Sequence, residues 1–259
     1  MNILAIGDII GVNGCEFLRK KLPGLKRLKN IDLVIANGEN SANGNGITPA
    51  GAEHIFKSGV DVITTGNHAF RRREMYQYYD DTPYIIRPAN YPNSTTPGRG
   101  MTIIDMGKCS VAVMNIMGTS YMEPLDCPFK TADELIEKSS EKGVKINILD
   151  FHAEATGEKR ALGYYLDGRV SCIFGTHTHV QTADEVILPK GTGYITDVGM
   201  TGPSESVLGV KPEIIIEKLK NKLPQRFDWA EGECKLDCVL FTVDEKTGYT
   251  TEVERMEIK

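Results

Sequence analysis

Apolar residues in this chain come in short runs, each closed by a polar or glycine-bearing stretch and most followed by a helical segment. Asn2–Gly7 (NILAIG) reads as a buried strand, and Asn13–Leu28 as mostly helix, interrupted at Pro23-Gly24. Asp32–Ala36 (DLVIA) is the next strand. Thr48-Pro49 then opens a helix, with the threonine as cap and the proline in the first turn. Asp61–Thr65 (DVITT) is a third strand, followed by an arginine-rich helix over Arg71–Tyr79. Such alternation favours a parallel sheet covered by helices.

Further on the pattern changes. Met101–Met106 and Cys109–Ile116 flank Gly107-Lys108 and read as a hairpin. A helix is expected from Thr131, with Thr131 and Glu134 as a capping box. Lys145–Phe151 (KINILDF), Val170–Phe174 (VSCIF) and Gly193–Val198 are strands, with a helix at Glu158–Leu166 between the first two. Lys211-Pro212 opens a last helix, and Leu236–Val243 and Tyr249–Ile258 alternate with period two across a turn at Glu245–Gly248. No internal repeat or linker interrupts the series. The inventory predicts an α/β fold, a four-layer α/β/β/α sandwich with two mixed sheets and outer helices, as a single domain over 1–259.

Composition acts mainly by exclusion. A net charge of −5 argues against a general binder of nucleic acid or membrane surfaces, because phosphate polymers would be repelled at long range. Small anionic substrates stay open, since a local cationic site can still attract them. The six cysteines form no C-x-x-C pair, and Cys109, Cys172 and Cys238 sit in or beside apolar runs, which reads as reduced, buried thiols. Cys234 and Cys238 have no neighbours that would complete a zinc set. The N-terminus has no basic region and reaches Asp8 too soon for a signal peptide. No apolar run approaches the ~20 residues that span a bilayer. A cytoplasmic protein is expected.

The chemistry lies just past the strand ends. NILAIG is followed by Asp8, DLVIA by Asn37-Gly38-Glu39-Asn40, DVITT by Gly66-Asn67-His68, KINILDF by His152, and VSCIF by Gly175-Thr176-His177-Thr178-His179. In open α/β sheets ligands bind outside the carboxyl ends of the strands. Carboxylate, amide and imidazole groups from five strands are thereby delivered to one edge. Of the five histidines only His54 falls inside a predicted helix, and it reads as a surface residue. In an extended segment His177 and His179 would point to the same side. Mixed oxygen and nitrogen donors suit Mn, Fe or Zn better than Ca or Mg, and the lack of thiolates argues against a closed structural zinc site.

This spaced set resembles the calcineurin-like metallophosphoesterase family, with its pattern D-x-H, G-D-x-x-D, G-N-H-D/E, a lone His, and G-H-x-H. Gly66-Asn67-His68 is the strongest local match, and the resemblance covers Asn2 to about Val198. Departures are informative: Ile10 stands where the first motif has His, Glu39 takes the bridging acid's place, Ala69 replaces an acid, and Thr176 intrudes before His177. Together with Asn90-Tyr91-Pro92 and Thr196-Asp197-Val198-Gly199, the set looks like the YmdB-like phosphodiesterase branch.

Carried over residue by residue, the resemblance implies that Glu39 bridges two metals. Asp8, His179 and Asn40 would complete one site, Asn40 standing in for the histidine that Ile10 displaces. Asn67, His152 and His177 would hold the other, and His68 would be the acid near the leaving group. Two divalent or trivalent transition metals are implied, Fe or Mn first and Zn as a possibility. The expected reaction is hydrolysis of a small phosphodiester, 2′,3′-cyclic nucleotides in particular, by attack of a metal-bridging hydroxide. The alternatives are a phosphomonoesterase or nucleotidase on the same site, or a metal-dependent nucleotide sensor with little turnover. A homo-oligomer is suggested by the family alone, and nucleic acid as a partner stays open. Two further features have plain readings beside functional ones. The loop Asn40–Gly46 (NSANGNG) lacks a P-loop lysine and reads as a mobile turn rather than a phosphate cradle. Arg71-Arg72-Arg73 reads as a solvated helix face rather than a phosphate guide.

Overall fold

The computed structural model describes residues 1–42, 44–92 and 94–259. In chain order the elements are β1 (Asn2–Ile6), β2 (Asp8–Ile9), α1 (Gly11–Leu28), β3 (Leu33–Asn37), α2 (Pro49–Lys57), β4 (Val62–Thr64), α3 (Met75–Asp81), β5 (Met101–Asp105), β6 (Ser110–Met117), α4 (Pro128–Glu141), β7 (Ile146–His152), α5 (Thr156–Leu166), β8 (Cys172–Thr176), β9 (Val186–Ile187), β10 (Gly193–Ile195), β11 (Met200–Pro203), α6 (Pro212–Asn221), β12 (Cys234–Val243) and β13 (Thr250–Ile258). One sheet runs β2-β11-β12-β1-β3-β4, with β13 paired to β12; the other runs β5-β6-β7-β8-β10-β9. Both are mixed. β1, β3 and β4 are parallel with β12 antiparallel to β1, and β6, β7, β8 and β10 are parallel between antiparallel edges.

Alternation along each strand builds the layers. Leu4 and Ile6 of β1 pack with Leu18 and Leu22 of α1, while Ile3 and Ala5 face Val113 and Ile148 of the second sheet. On the far side of that sheet, Leu149 and Phe151 pack with Leu135 of α4 and Leu162 of α5. The order is helix, sheet, sheet, helix, as predicted. Strands buried on both faces read as unbroken apolar runs, which is why they were visible in the sequence. Each large apolar side chain so buried contributes about 1.5–3 kcal/mol.

Several local expectations are corrected. α1 runs through Pro23 without a break, because the proline lies on the exposed side while Leu18, Leu22 and Leu25 anchor the helix to the sheet on either side of it. α4 starts at Pro128, so Thr131 and Glu134 lie inside the helix and form no capping box. The arginines Arg71–Arg73 precede α3, which begins at Met75. The Thr48 cap holds, its hydroxyl accepting from Gly51 N at 3.0 Å. All six cysteines are free. No helix among the described residues is long and apolar enough to cross a membrane.

One junction places the first site residue. β1 pairs with β12 as far as Ile6 opposite Cys238; beyond Gly7, β11 enters between them, with Met200 opposite Asp8 and Thr201 opposite Leu236. Gly7 N donates to Asp237 O at 3.2 Å and Asp8 N to Gly199 O at 3.1 Å. A Cβ on Gly7 would lie 2.1 Å from Gly199 O, so only glycine lets the backbones pass. Gly7→Ala is expected to destabilise the fold by roughly 1–3 kcal/mol or more, the usual range for overpacking. That corresponds to a loss of about 2–4 °C in Tm per kcal/mol for a chain of this size. A thermal melt matching the parent would show that the junction does not need a bare backbone.

Candidate metal centre

Every predicted site residue arrives at one edge. Asp8 follows β1 across the Gly7 junction, Glu39 and Asn40 follow β3, and Asn67 and His68 follow β4, all from the first sheet. His152 ends β7, and His177 and His179 follow β8, from the second. The carboxyl ends of both parallel sets therefore meet across the cleft between the sheets. Asp8, Glu39 and His152 are fully buried there, and His68 keeps partial exposure at the rim.

The side chains form two groups, the first of which includes Glu39. In one, His152 Nε2 lies 2.9 Å from Asn67 Oδ1, 3.1 Å from His177 Nδ1 and 3.2 Å from Glu39 Oε1. In the other, Asn40 Nδ2 lies 3.2 Å from both Asp8 Oδ1 and His179 Nε2, and His179 Nε2 lies 3.4 Å from Asp8 Oδ1. Glu39 Oε2 accepts from His68 N at 2.9 Å. Glu39 Oε1, though close to His152, is not aligned with it for a hydrogen bond and is a buried oxygen without a donor.

Polar partners lie on the outer side of each imidazole. Thr176 Oγ1 donates to Asp150 Oδ1 at 2.7 Å, so its lone pair accepts from His152 Nδ1 at 2.9 Å and leaves Nε2 facing in. His177 Nε2 faces Glu154 Oε2 at 3.1 Å, and His179 Nδ1 faces Leu208 O at 3.3 Å. His152 Nε2 and His177 Nδ1 are turned toward each other, 3.1 Å apart, bridged by the His152 proton, in a place that a metal ion could take. The electrostatics agree. Burial disfavours charge on His152, yet Glu39 and Asp8 overcome it and raise its pKa to about 9. Burial pushes the Asp8 carboxyl up, but His179 and His152 outweigh it and hold it well below the usual carboxylate range. Burial and the charge on His152 together depress His177 to about 3. The centre thus favours positive charge, and a bound metal would replace the proton on His152. The potential ligand atoms of Glu39, His152 and His177, within 4.8 Å of one another, are suited to hold one.

The His177–His179 segment corrects the expectation of an extended pair. Both residues have left-handed backbone, φ 99° and 61°, and a bend rather than a strand delivers one ring to each group. Such conformations persist only when the surroundings impose them. His177 N donates to Asp8 Oδ2 at 3.1 Å, and Thr178 N and Oγ1 donate to Asp197 Oδ2. Lys159, buried on α5, donates to the same Asp197 oxygen at 2.6 Å and to Thr176 O at 2.8 Å. Gly66 lies against the His152 ring, where a Cβ would come within 2.1 Å.

Thr176, Asp150, Lys159 and Asp197 were missed as site residues, although a lysine and an aspartate inside apolar strand and helix patterns were a signal that could have been used. His54 lies outside the cluster, 3.3 Å from Glu16. Arg72 is no solvated helix residue: its guanidinium donates to Asn45 O and Ala42 O and braces the loop after Asn40. Within the Asn40–Gly46 loop, Asn43 lies outside the described residues.

The comparisons fit this geometry. The model of the YmdB-like protein family matches residues 4–256. The chain is 46% identical to a Bacillus subtilis protein named 2′,3′-cyclic-nucleotide 2′-phosphodiesterase, over all of this chain and 97% of that one. Among solved structures, it superposes on a novel phosphatase from Mycoplasma pneumoniae with TM-score 0.94 and 36% identity, covering 100% of this chain and 93% of that one. A hypothetical protein from Thermus thermophilus gives TM-score 0.92 and 38% identity, with 99% and 98% covered. With relatives of this kind over its whole length, the chain is a hydrolase. It belongs to the YmdB-like protein family.

Proposed function

We propose that this chain is a phosphodiesterase acting on small phosphodiesters, 2′,3′-cyclic nucleotides among them, with two transition-metal ions, iron or manganese, at the centre just described. The observation that carries the reading is the pair of imidazole nitrogens turned toward each other beside an undonated, buried Glu39 oxygen. Glu39 would serve both ions, with Asp8, Asn40 and His179 on one and Asn67, His152 and His177 on the other. Bound there, two cations would supply Lewis-acid charge for phosphoryl oxygens and lower the pKa of a water for attack. Asp8 and Glu39 are the only anionic donors in this set, so the loaded centre stays net positive and attracts an anionic ester. Six free thiols suit a reducing cytoplasm.

His68 stands beside the proposed ligands, and burial lowers its pKa, so it enters the reaction as neutral imidazole. Its Nδ1 lies 2.7 Å from Asn40 Oδ1, while Asn40 presents its nitrogen to Asp8 and His179. Ligation by Asn40 needs the amide turned by half a revolution about its last side-chain bond. That turn gives its oxygen to the metal side and its NH₂ to His68 Nδ1. His68 then carries its proton on Nε2, free to hydrogen-bond a leaving oxygen and polarise it. One amide would thus set both a ligand and the acid's tautomer.

Protein purified without chelator is expected to hold about two transition metals per chain by elemental analysis. A stoichiometry of one, unmoved by added Mn²⁺ or Fe²⁺, would refute the dinuclear reading. With Mn²⁺, bis-p-nitrophenyl phosphate should be cleaved faster than p-nitrophenyl phosphate; the reverse order would favour a phosphomonoesterase.

His68→Ala is expected to keep its metals while turnover falls roughly 10²–10⁴-fold, the usual worth of a positioned acid. Loss of metal along with activity would make His68 a ligand instead.

Asn40→Asp retains an oxygen for the metal but no donor for His68. Metal content should therefore survive while turnover falls as it does in His68→Ala. Full activity in Asn40→Asp would refute the shared role of the amide.

A further inference from the structure

The cavity at the centre, about 420 Å³, has a second wall that phosphate chemistry leaves unexplained. Leu208, Ile215, Leu219, Phe227 and Trp229 form it, all from the stretch between β11 and β12 that includes α6. None of these five belongs to the hydrophobic clusters that hold the layers together, and α6 buries no residue. Leu219 is 60% exposed, Leu208 42% and Phe227 40%. Large apolar side chains gain about 25 cal/mol per Å² when covered, and these face a cavity whose opposite wall carries Glu39, His68 and His179.

Two contacts hold the aromatic part of the wall in place. The Trp229 ring presses on the loop after Asn40, where a Cβ on Gly44 would come within 1.9 Å of it. Lys218 Nζ lies 4.5 Å from the centre of the Phe227 ring, which keeps a positive charge on that rim.

We infer that this wall receives the nucleobase of a nucleoside phosphodiester whose phosphate lies at the polar wall, an inference that rests on the phosphodiesterase reading. A base is flat and apolar on both faces, so aromatic and aliphatic side chains can stack on it without reading its edge. Among the described residues, the only polar atoms of side chains on this wall are the Trp229 indole N–H and the Lys218 amine. The wall therefore selects for the presence of a base and discriminates weakly among bases. Cavity and centre are continuous, so base and phosphate of one small molecule can occupy them together.

The test compares 2′,3′-cyclic AMP, 2′,3′-cyclic CMP and methyl riboside 2,3-cyclic phosphate, which has the same reacting group and no base. In the Mn²⁺-loaded parent both nucleotides should be preferred over the base-free ester, by similar factors. Phe227→Ala should cut the ratio of kcat/KM for nucleotide over base-free ester by roughly ten- to a hundredfold, the usual loss of one stacking partner. Trp229 is the chain's single tryptophan, so adenosine should quench the fluorescence of the loaded protein, and less so in Phe227→Ala. An unaltered ratio in Phe227→Ala overturns the inference, and if oligomer size changes as well, a second copy of the chain covers the wall. Quenching by adenosine without hydrolysis of any of the three esters would support the base site and overturn the phosphodiesterase reading.

Discussion

A fully buried carboxylate with one undonated oxygen is the constraint around which the rest is arranged. Glu39 sits where the two sheets meet, and placing an isolated charge there costs several kcal/mol even after relaxation. Compensation must come from both sides. The first sheet sends the His68 amide to one oxygen, and the second sends the His152 ring to the other. Burial pushes the Glu39 carboxyl up, but His152 and then His68 reverse it, and the group stays below its ordinary pKa. Docking of the sheets and neutralisation of Glu39 are therefore one problem. Strands β3 and β4 cannot slide against β7 and β8 without exposing that charge to an environment with no partner for it.

The same demand for position explains where strain is accepted. Left-handed backbone at His177 and His179 belongs to the class of conformations that cost on the order of 1–3 kcal/mol each. The turn is held from beneath by the buried Lys159–Asp197 pair, whose shared oxygen also takes the Thr178 donors. It is held from the side by Asp8, which accepts the His177 amide. Asp8 itself is set by the close passage of Gly7 over Gly199. Charge pairing, a glycine junction and a strained turn thus form one chain of dependencies that ends in the directions of two imidazoles.

How much of this was legible in the sequence depends on the range of the forces involved. Strands buried on both faces announce themselves as apolar runs, and parallel geometry then sends the residues after them to one edge, so Asp8, Glu39, Asn67, His152 and His177 could be grouped without coordinates. Strands such as β2 and β9, of two residues each, leave no period to detect. Pro23 looked like a break because its local penalty is visible and the leucine stripe that overrides it acts through tertiary contact. Ring orientations were out of reach for the same reason. The partner that directs the His177 backbone is 169 residues away in sequence, and the hydroxyl that turns His152 belongs to Thr176, which looked like an intrusion in a motif.

A hydrogen bond joins the centre to the apolar wall. His179 Nδ1 faces the carbonyl of Leu208, a residue at φ 56°, in the segment that leads into α6. Leu208 therefore does two things through different atoms: its side chain lines the cavity, and its oxygen orients a ring of the centre. Ser206 and Gly209 steady that turn, the Gly209 amide donating to Ser206 Oγ at 3.0 Å. A segment that contributes little to the core would fray if nothing tied it down. The tie runs to His179, which itself rests against Asp8. Whatever covers the apolar wall therefore also steadies His179, and whatever occupies the polar wall also steadies the apolar one. The order of the apolar wall and the orientation of His179 are in this way coupled through that hydrogen bond.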